Sequence, residues 1–204
     1  SFLFNCYTFC MPKITEAHRQ MRRTVILDAA WRCFYRNGVQ ATTMDDIIKE
    51  AKMSASAMYR YFAGKDDIIL TAITTSLGGL AKLLEPVFAG ESAAMPEEFV
   101  GRVATAIEQF TARRGFNLSS IAIHGWSESQ RNEEVRLLIN NYYQVFRERI
   151  AERVRAWQIE GKIAPSASPL EVAQALHAVI LGFVVQAAVM RDADPEMLAR
   201  GLGA

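Results

Sequence analysis

The sequence predicts an all-α protein of about nine helices: an N-terminal three-helix unit containing a helix-turn-helix, then a larger helical C-terminal unit. Three observations carry this. Apolar residues recur at spacings of three and four along most of the 204 residues, which is the period of one helix face. The punctuation between these stretches is helical, with Ser, Thr, Asn or Asp ahead of first turns, Pro at first helical positions and Gly behind last turns. No run alternates apolar and polar residues between hairpin turns, as a half-buried strand would.

Residues 17–37 repeat apolar positions at Ile26, Ala30, Cys33 and Phe34, and Gly38 supplies a left-handed stop. Thr43 caps the next helix, with Asp45 and Asp46 in its positive first turn. Lys52-Met53 forms a turn, and Ser54 caps a helix running to about Phe62. Gly64 opens a long helix over 65–84, in which Gly78-Gly79 should introduce weakness or a bend. Residues 89–95 read as a linker. Pro96-Glu97-Glu98 then opens a helix with Phe99, Val103, Ile107 and Phe110 on one stripe, ended by Gly115. Residues 117–129 form another helix. Asn132 caps a long one to about Glu160, striped by Val135, Ile139, Tyr142, Phe146, Ile150, Val154 and Trp157. Ser168-Pro169-Leu170-Glu171 is a capping box with Pro at the first helical position, and Asp194-Pro195 starts a final short helix.

Composition sets the class. The chain is 50% hydrophobic and 22% charged, which describes a folded globular protein rather than a disordered one. The net charge of +1 hides an asymmetry: residues 11–70 hold 10 Lys/Arg against 7 Asp/Glu, whereas residues 71–204 hold 13 against 15. Lys13, Arg19, Arg22 and Arg23, opposed by Glu16, form a basic arm suited to phosphate contact. Cys6, Cys10 and Cys33 have neither metal-ligand spacing nor the density of a disulfide framework, which points to a reducing cytoplasm. Residues 1–10, SFLFNCYTFC, form an uncharged apolar tail expected outside the native fold, followed by a first domain over 11–70 and a second over 71–204. From Val172 to Met190 there is no Asp, Glu, Lys or Arg, a length that can span a bilayer. Gln174, His177 and Gln186 interrupt it, and with no second such segment it reads as a buried helix, not a membrane anchor.

Function points to residues 42–70, TTMDDIIKEAKMSASAMYRYFAGKDDIIL. A short amphipathic helix, a tight turn and a second helix bearing Ser, Tyr and Arg is how a chain offers a helix to the major groove of DNA. Thr43, at a helix N-terminus, can hold a phosphate as well as cap the helix. Ser54, Ala55, Ser56 and Ala57 make the leading turn of the second helix, whose first residues meet base edges. Ile47, Ala51, Met58 and Phe62 hold the helix pair together as core.

Ile26-Leu27-Asp28-Ala29-Ala30, Phe34, Asn37-Gly38, Thr42-Thr43-Met44, Ile47, Ala51, Met53-Ser54, Met58-Tyr59-Arg60-Tyr61-Phe62, Lys65 and Ile68 resemble the TetR family of transcriptional regulators over about residues 22–70. The resemblance implies homodimers that bind double-stranded operator DNA through three N-terminal helices and are released by a small molecule held in the C-terminal domain. It places Tyr59 and Tyr61 on phosphate or a thymine methyl, and Lys65 on phosphate. The sequence departs at Lys52 and Ser56, where Gly is common. If Lys52 has positive φ it costs about 1 kcal/mol relative to Gly, which a phosphate contact can offset. Ala55 and Ala57 offer only methyl contacts, so base readout falls to Arg60, Ser56 and the Tyr hydroxyls. The DNA-contacting set is therefore Thr43, Lys52, Ser54, Ala55, Ser56, Tyr59, Arg60, Tyr61 and Lys65.

In the second unit, the helices at 96–113, 116–129 and 132–160 should enclose a pocket lined by Phe110, Phe116, His124, Trp126, Tyr142, Phe146 and Trp157. Such walls suit an apolar or aromatic effector, although aromatic residues at helical spacing also build plain core. Ala173, Ala178, Gly182 and Ala187 suit a tight helix–helix interface, and the resemblance puts a homodimer bundle in residues 168–204. A dimer is needed, because two recognition helices must reach grooves about 34 Å apart. His124 and Glu128 stand four apart without further ligands, so no metal is expected, and no cofactor fingerprint or catalytic set is present. The expected function is a non-enzymatic repressor released by its effector. The alternatives are a DNA-binding regulator with a filled C-terminal core and no ligand, or an all-helical ligand carrier or enzyme.

Overall fold

The computed structural model describes residues 15–90, 95–114 and 118–204. The tail at 1–10, Lys13, Gly115 and Phe116 lie outside the described residues. Among those described there are nine helices and no strand: α1 (Glu16–Ala41), α2 (Met44–Glu50), α3 (Ala55–Tyr59), α4 (Lys65–Ala89), α5 (Pro96–Arg114), α6 (Leu118–Ser129), α7 (Glu133–Ile159), α8 (Pro169–Val189) and α9 (Pro195–Leu202).

The capping residues act where the sequence places them. Asn132, Ser168 and Asp194 each accept backbone N–H bonds from the first turn of α7, α8 and α9, satisfying donors that a helix start leaves open. Gly38 adopts φ 76° and ψ 158°, a region effectively reserved for glycine. The helix from Glu16 stops there as expected, and a further short turn to Ala41 follows across the kink. One expectation is corrected. The helix from Ser54 does not reach Phe62: α3 stops at Tyr59, and Phe62 turns inward to 1% exposure. Helix α4 runs continuously from Lys65 to Ala89 through Gly78-Gly79.

Two apolar cores result. The first gathers Ile26, Phe34, Ile47, Met58, Phe62 and Ile68 from α1–α4, and adds Val135 and Ile139 of α7. The second gathers Phe99, Val103, Ile150, Val154, Trp157 and Phe183 from α5, α7 and α8. Helix α4 serves both, with Ile68 to Ile73 in the first and Leu84 in the second. It is thus the beam joining the N-terminal head to the body. Helix α9 lies so close on α5 that a Cβ at Gly101 would come within 2.9 Å of the Ala199 Cβ. By length and apolar composition α4, as well as α8, could cross a bilayer, so the expected single segment is in fact two. Both are packed into this helical fold.

Candidate nucleic-acid interface and effector cavity

The helix-turn-helix is built by local polar chemistry. Thr43 and Asp46 form a reciprocal capping box: the Thr43 N–H donates to Asp46 Oδ2 at 2.9 Å, and the Asp46 N–H donates to Thr43 Oγ1 at 3.2 Å. The Thr43 hydroxyl, which donates to Asp46 Oδ2 at 2.7 Å, and after it the Thr43 N–H hold the Asp46 carboxyl below its ordinary range. Lys52 then takes φ 54°, the strained conformation that its replacement of Gly made possible. Ser54 caps α3 by accepting from the Ala57 N–H at 3.3 Å. The α3 core residue Met58 is fully buried, and the opposite side of the helix faces outward.

That outward side holds most of the expected DNA set. Thr43, Lys52, Ser54, Ala55, Ser56, Tyr59 and Arg60 are exposed. The side chains of Lys52, Tyr59 and Arg60 have no hydrogen-bond or ion-pair partner among the described residues. Tyr61 and Lys65 are only half-exposed: Tyr61 packs on the first core, and Lys65 Nζ donates to the Gln40 carbonyl at 3.0 Å. The Thr43 hydroxyl is already engaged with Asp46 Oδ2 at 2.7 Å.

One basic residue has a different task from the one its position suggests. Arg23 is no free phosphate-seeking arm. Its Nη1 donates to the Tyr61 carbonyl at 2.7 Å, its Nη2 to Thr71 Oγ1 at 3.4 Å, and its guanidinium lies 4.2 Å from the Phe62 ring centroid. It fastens the end of the recognition segment to α1 and α4. Arg32 and Arg36 likewise grip Glu50 at 2.6 and 2.7 Å, tying α2 to α1 and holding the Glu50 carboxyl low. Arg19 and Arg22 remain exposed. Across the seam to the body, Gln40 Nε2 donates to Glu128 Oε2 of α6 at 2.6 Å.

Behind this head a cavity of about 90 Å³ lies between α4, α5, α6, α7 and α8. Of the expected lining, Trp126, Tyr142 and Phe146 face it. Phe110 and Trp157 do not: both are buried in the second core, where Trp157 meets Phe99 edge-on at 5.7 Å. His124 does not either; it sits at the seam beside Trp31, Phe34 and Glu128. Sequence stripes locate a buried face but do not tell packed core from cavity wall. The α4 and α8 walls, including Ser76, Leu80, His177 and Ile180, were not anticipated, and no sequence signal marks them. Trp126 Nε1 donates to the Tyr143 hydroxyl at 2.7 Å, and Tyr143 and Phe146 meet the His177 ring at 4.9 and 5.3 Å. Burial pushes the Tyr142 hydroxyl up to about 12 and the His177 imidazole down to about 4, with Arg147 adding to the latter. Burial also lowers His124.

Comparison with known proteins now bears on this arrangement. Residues 26–72 match the model of bacterial regulatory proteins of the tetR family, and residues 99–203 match that of the BetI-type transcriptional repressor C-terminal region. The chain belongs to the TetR family of transcriptional regulators. Members of this family are DNA-binding regulators, not enzymes. The chain is similar to the HTH-type transcriptional regulator BetI of Rhizobium meliloti, 29% identical over 183 residues that cover 86% of this chain and 81% of that one. The TetR fold is shared with FadR from Bacillus subtilis in complex with stearoyl-CoA (TM-score 0.71, 20% identity, 88% and 94% coverage). It is also shared with a transcriptional regulator from Saccharomonospora viridis in complex with choline (TM-score 0.69, 22% identity, 90% and 94% coverage).

Proposed function

We propose that this TetR-family chain is a cytoplasmic homodimeric repressor, and that it leaves its operator when a small apolar or aromatic molecule fills the cavity beneath α4. The observation that carries the reading is the beam: α4 begins at the recognition unit and its middle forms one cavity wall. Operator contact would come from Lys52, Ser54, Ala55, Ser56, Tyr59 and Arg60, with Thr43, Tyr61 and Lys65 at the margin.

The cavity is small beside the roughly 300–1,000 Å³ of ordinary ligand sites. A ligand must therefore part the walls, and movement of α4 tilts the head. This is the differential interaction that linkage requires. FadR and the Saccharomonospora viridis protein hold chemically unlike molecules, so the lining of this chain must set its own ligand. No Asp, Glu, Lys or Arg is among the described lining residues, which favours an uncharged, apolar body over a cation.

Dimer formation is supported by α8. Ala175, Ala178, Gly182, Val185 and Val189 follow the four-three spacing of a helix seam, and Val185 and Val189 are exposed in the isolated subunit. Met197 and Leu202 of α9 extend the same apolar character. Selection of duplexes from a random pool tests the reading. Enriched sequences should be two-fold symmetric, with half-sites one helical turn or a multiple apart. Enrichment of single half-sites, or none, rejects a dimeric operator binder.

A further inference from the structure

Three polar side chains line the cavity without a hydrogen-bond partner among the described residues, Ser76, His177 and Tyr142, and the first two are more than nine-tenths buried. Ser76 of α4 and His177 of α8 are 5% and 6% exposed, and both line the cavity. Neither makes a hydrogen bond within the described residues; the contacts of His177 are ring contacts to Tyr143 and Phe146. Buried polar groups are nearly always paired, and exceptions call for a cause. Among the described residues the sealed, unpartnered side-chain atoms are His18 Nδ1 and Trp157 Nε1. The polar atoms of Ser76 and His177 are therefore not sealed, and the open space beside them is the cavity. Apart from the Tyr142 hydroxyl and the mutually bonded Trp126 N–H and Tyr143 hydroxyl, the remaining walls are apolar: Leu80, Ile107, Phe146, Ile180 and their neighbours.

We propose that the effector is a neutral molecule carrying one hydrogen-bonding oxygen, a carbonyl or hydroxyl, which is received by Ser76 and His177 while its apolar body lies against Trp126, Phe146 and Ile180. This rests on the cavity being the effector site and names the chemistry of that site. The Ser76 hydroxyl donates, and a neutral imidazole donates or accepts according to tautomer. A carbonyl oxygen has two lone pairs and can take a bond from each wall. Neutrality follows from the lining, which offers no counter-charge to an ion. Burial keeps the His177 imidazole uncharged near neutral pH, with its pKa pushed down to about 4. Because Ser76 stands on α4 and His177 on α8, the oxygen would tie the beam of the head to the body, a bond that an oxygen-free molecule of equal shape cannot make.

The test uses four probes of related shape: acetophenone, ethylbenzene, benzoate and benzyltrimethylammonium. Binding to the full chain is measured by calorimetry. Acetophenone should bind about tenfold more tightly than ethylbenzene, the worth of one or two neutral hydrogen bonds, and more tightly than either ion. Ser76→Ala and His177→Leu should each bring the ratio close to one. Both variants should unfold, unliganded, at or above the wild-type temperature, because each removes a buried polar group without a partner. Equal binding of acetophenone and ethylbenzene overturns the oxygen site and leaves the apolar cavity standing. Tighter binding of benzoate or the ammonium overturns neutrality. A lower unliganded Tm for Ser76→Ala makes the hydroxyl structural and overturns its role. Binding of no probe overturns both this proposal and the cavity reading on which it rests.

Discussion

The head and the body treat their polar groups in opposite ways. In the head, Thr43 and Asp46 cap each other, Glu50 is held by two arginines, and Arg23 closes the end of the recognition segment. In the body, Ser76 and His177 face a cavity without partners, and the Trp157 indole N–H lies buried without an acceptor. A unit whose inter-helix polar groups are mostly paired, with only His18 Nδ1 among its described side-chain atoms sealed without a partner, holds one shape and suits a fixed surface such as a DNA groove. A unit with unpaired groups around a void is incomplete, and binding completes it. The difference is what a sensor joined to a reader requires.

The strongest way to break this contrast is to separate the two copies of the head. A Cβ at Gly182 would meet nothing within 4 Å in the subunit, and Leu is the better helix former. Gly182→Leu should therefore keep the fold, abolish the dimer and lower operator affinity about 10²–10⁴-fold by loss of two-site binding. Sedimentation with DNA titration checks this, and an intact dimer removes α8 from the interface. Next is the clasp. Arg23→Ala should destabilise the head by about 1.5–3 kcal/mol, the worth of a charged hydrogen bond, and weaken binding to every DNA sequence. Lys should rescue only partly, because it cannot reach two acceptors and cover the Phe62 ring at once. Chemical denaturation and binding to scrambled DNA report both effects.

A smaller and more selective effect belongs to Arg60, which is exposed and unpaired. Arg60→Ala should cost about 1–3 kcal/mol on operator and little on scrambled duplex, whereas Lys65→Ala should lower both alike. Equal losses on both sequences for Arg60→Ala exclude base reading.

Acid separates the two regions without mutation. The folded His177 titrates at about 4, below its ordinary 6.5, and His124 is lowered too. As pH falls through 6.5 the unfolded chain takes up protons that the folded chain refuses. The stabilisation from His177 is therefore complete above 6.5 and lost between 6.5 and about 4. Asp46 and Glu50 are held below their ordinary 3.8 and 4.5, so the stability they confer on the head fades only at lower pH. Melting against pH should show the first slope reduced in His177→Leu and the second unchanged. An unaltered slope between 6.5 and 4 assigns the acid sensitivity elsewhere.

Much of this could be read from residue order, because much of it is local. A cap acts on the next turn, a Tyr-Arg-Tyr-Phe run follows within a few residues of its Ser54 cap, and Gly38 takes positive φ at a helix stop. The helix-turn-helix was legible for that reason. What depends on distant packing was not. Arg23 looks like any basic residue until Tyr61 and Thr71 arrive beside it, 38 and 48 positions away. Trp157 and Tyr142 share one stripe, yet one packs solidly and the other borders a void, because helices at other depths decide where space remains. Ser76 and His177 carry no local mark at all.

The central claim is that operator and effector oppose each other through α4, and reciprocal titration tests it most directly. Acetophenone is titrated into the free dimer and into its complex with the selected duplex, and the duplex is titrated into empty and acetophenone-saturated protein. The account predicts that each partner weakens the other by the same factor, about 5–150-fold. Affinity for acetophenone that is identical with and without the duplex would contradict it.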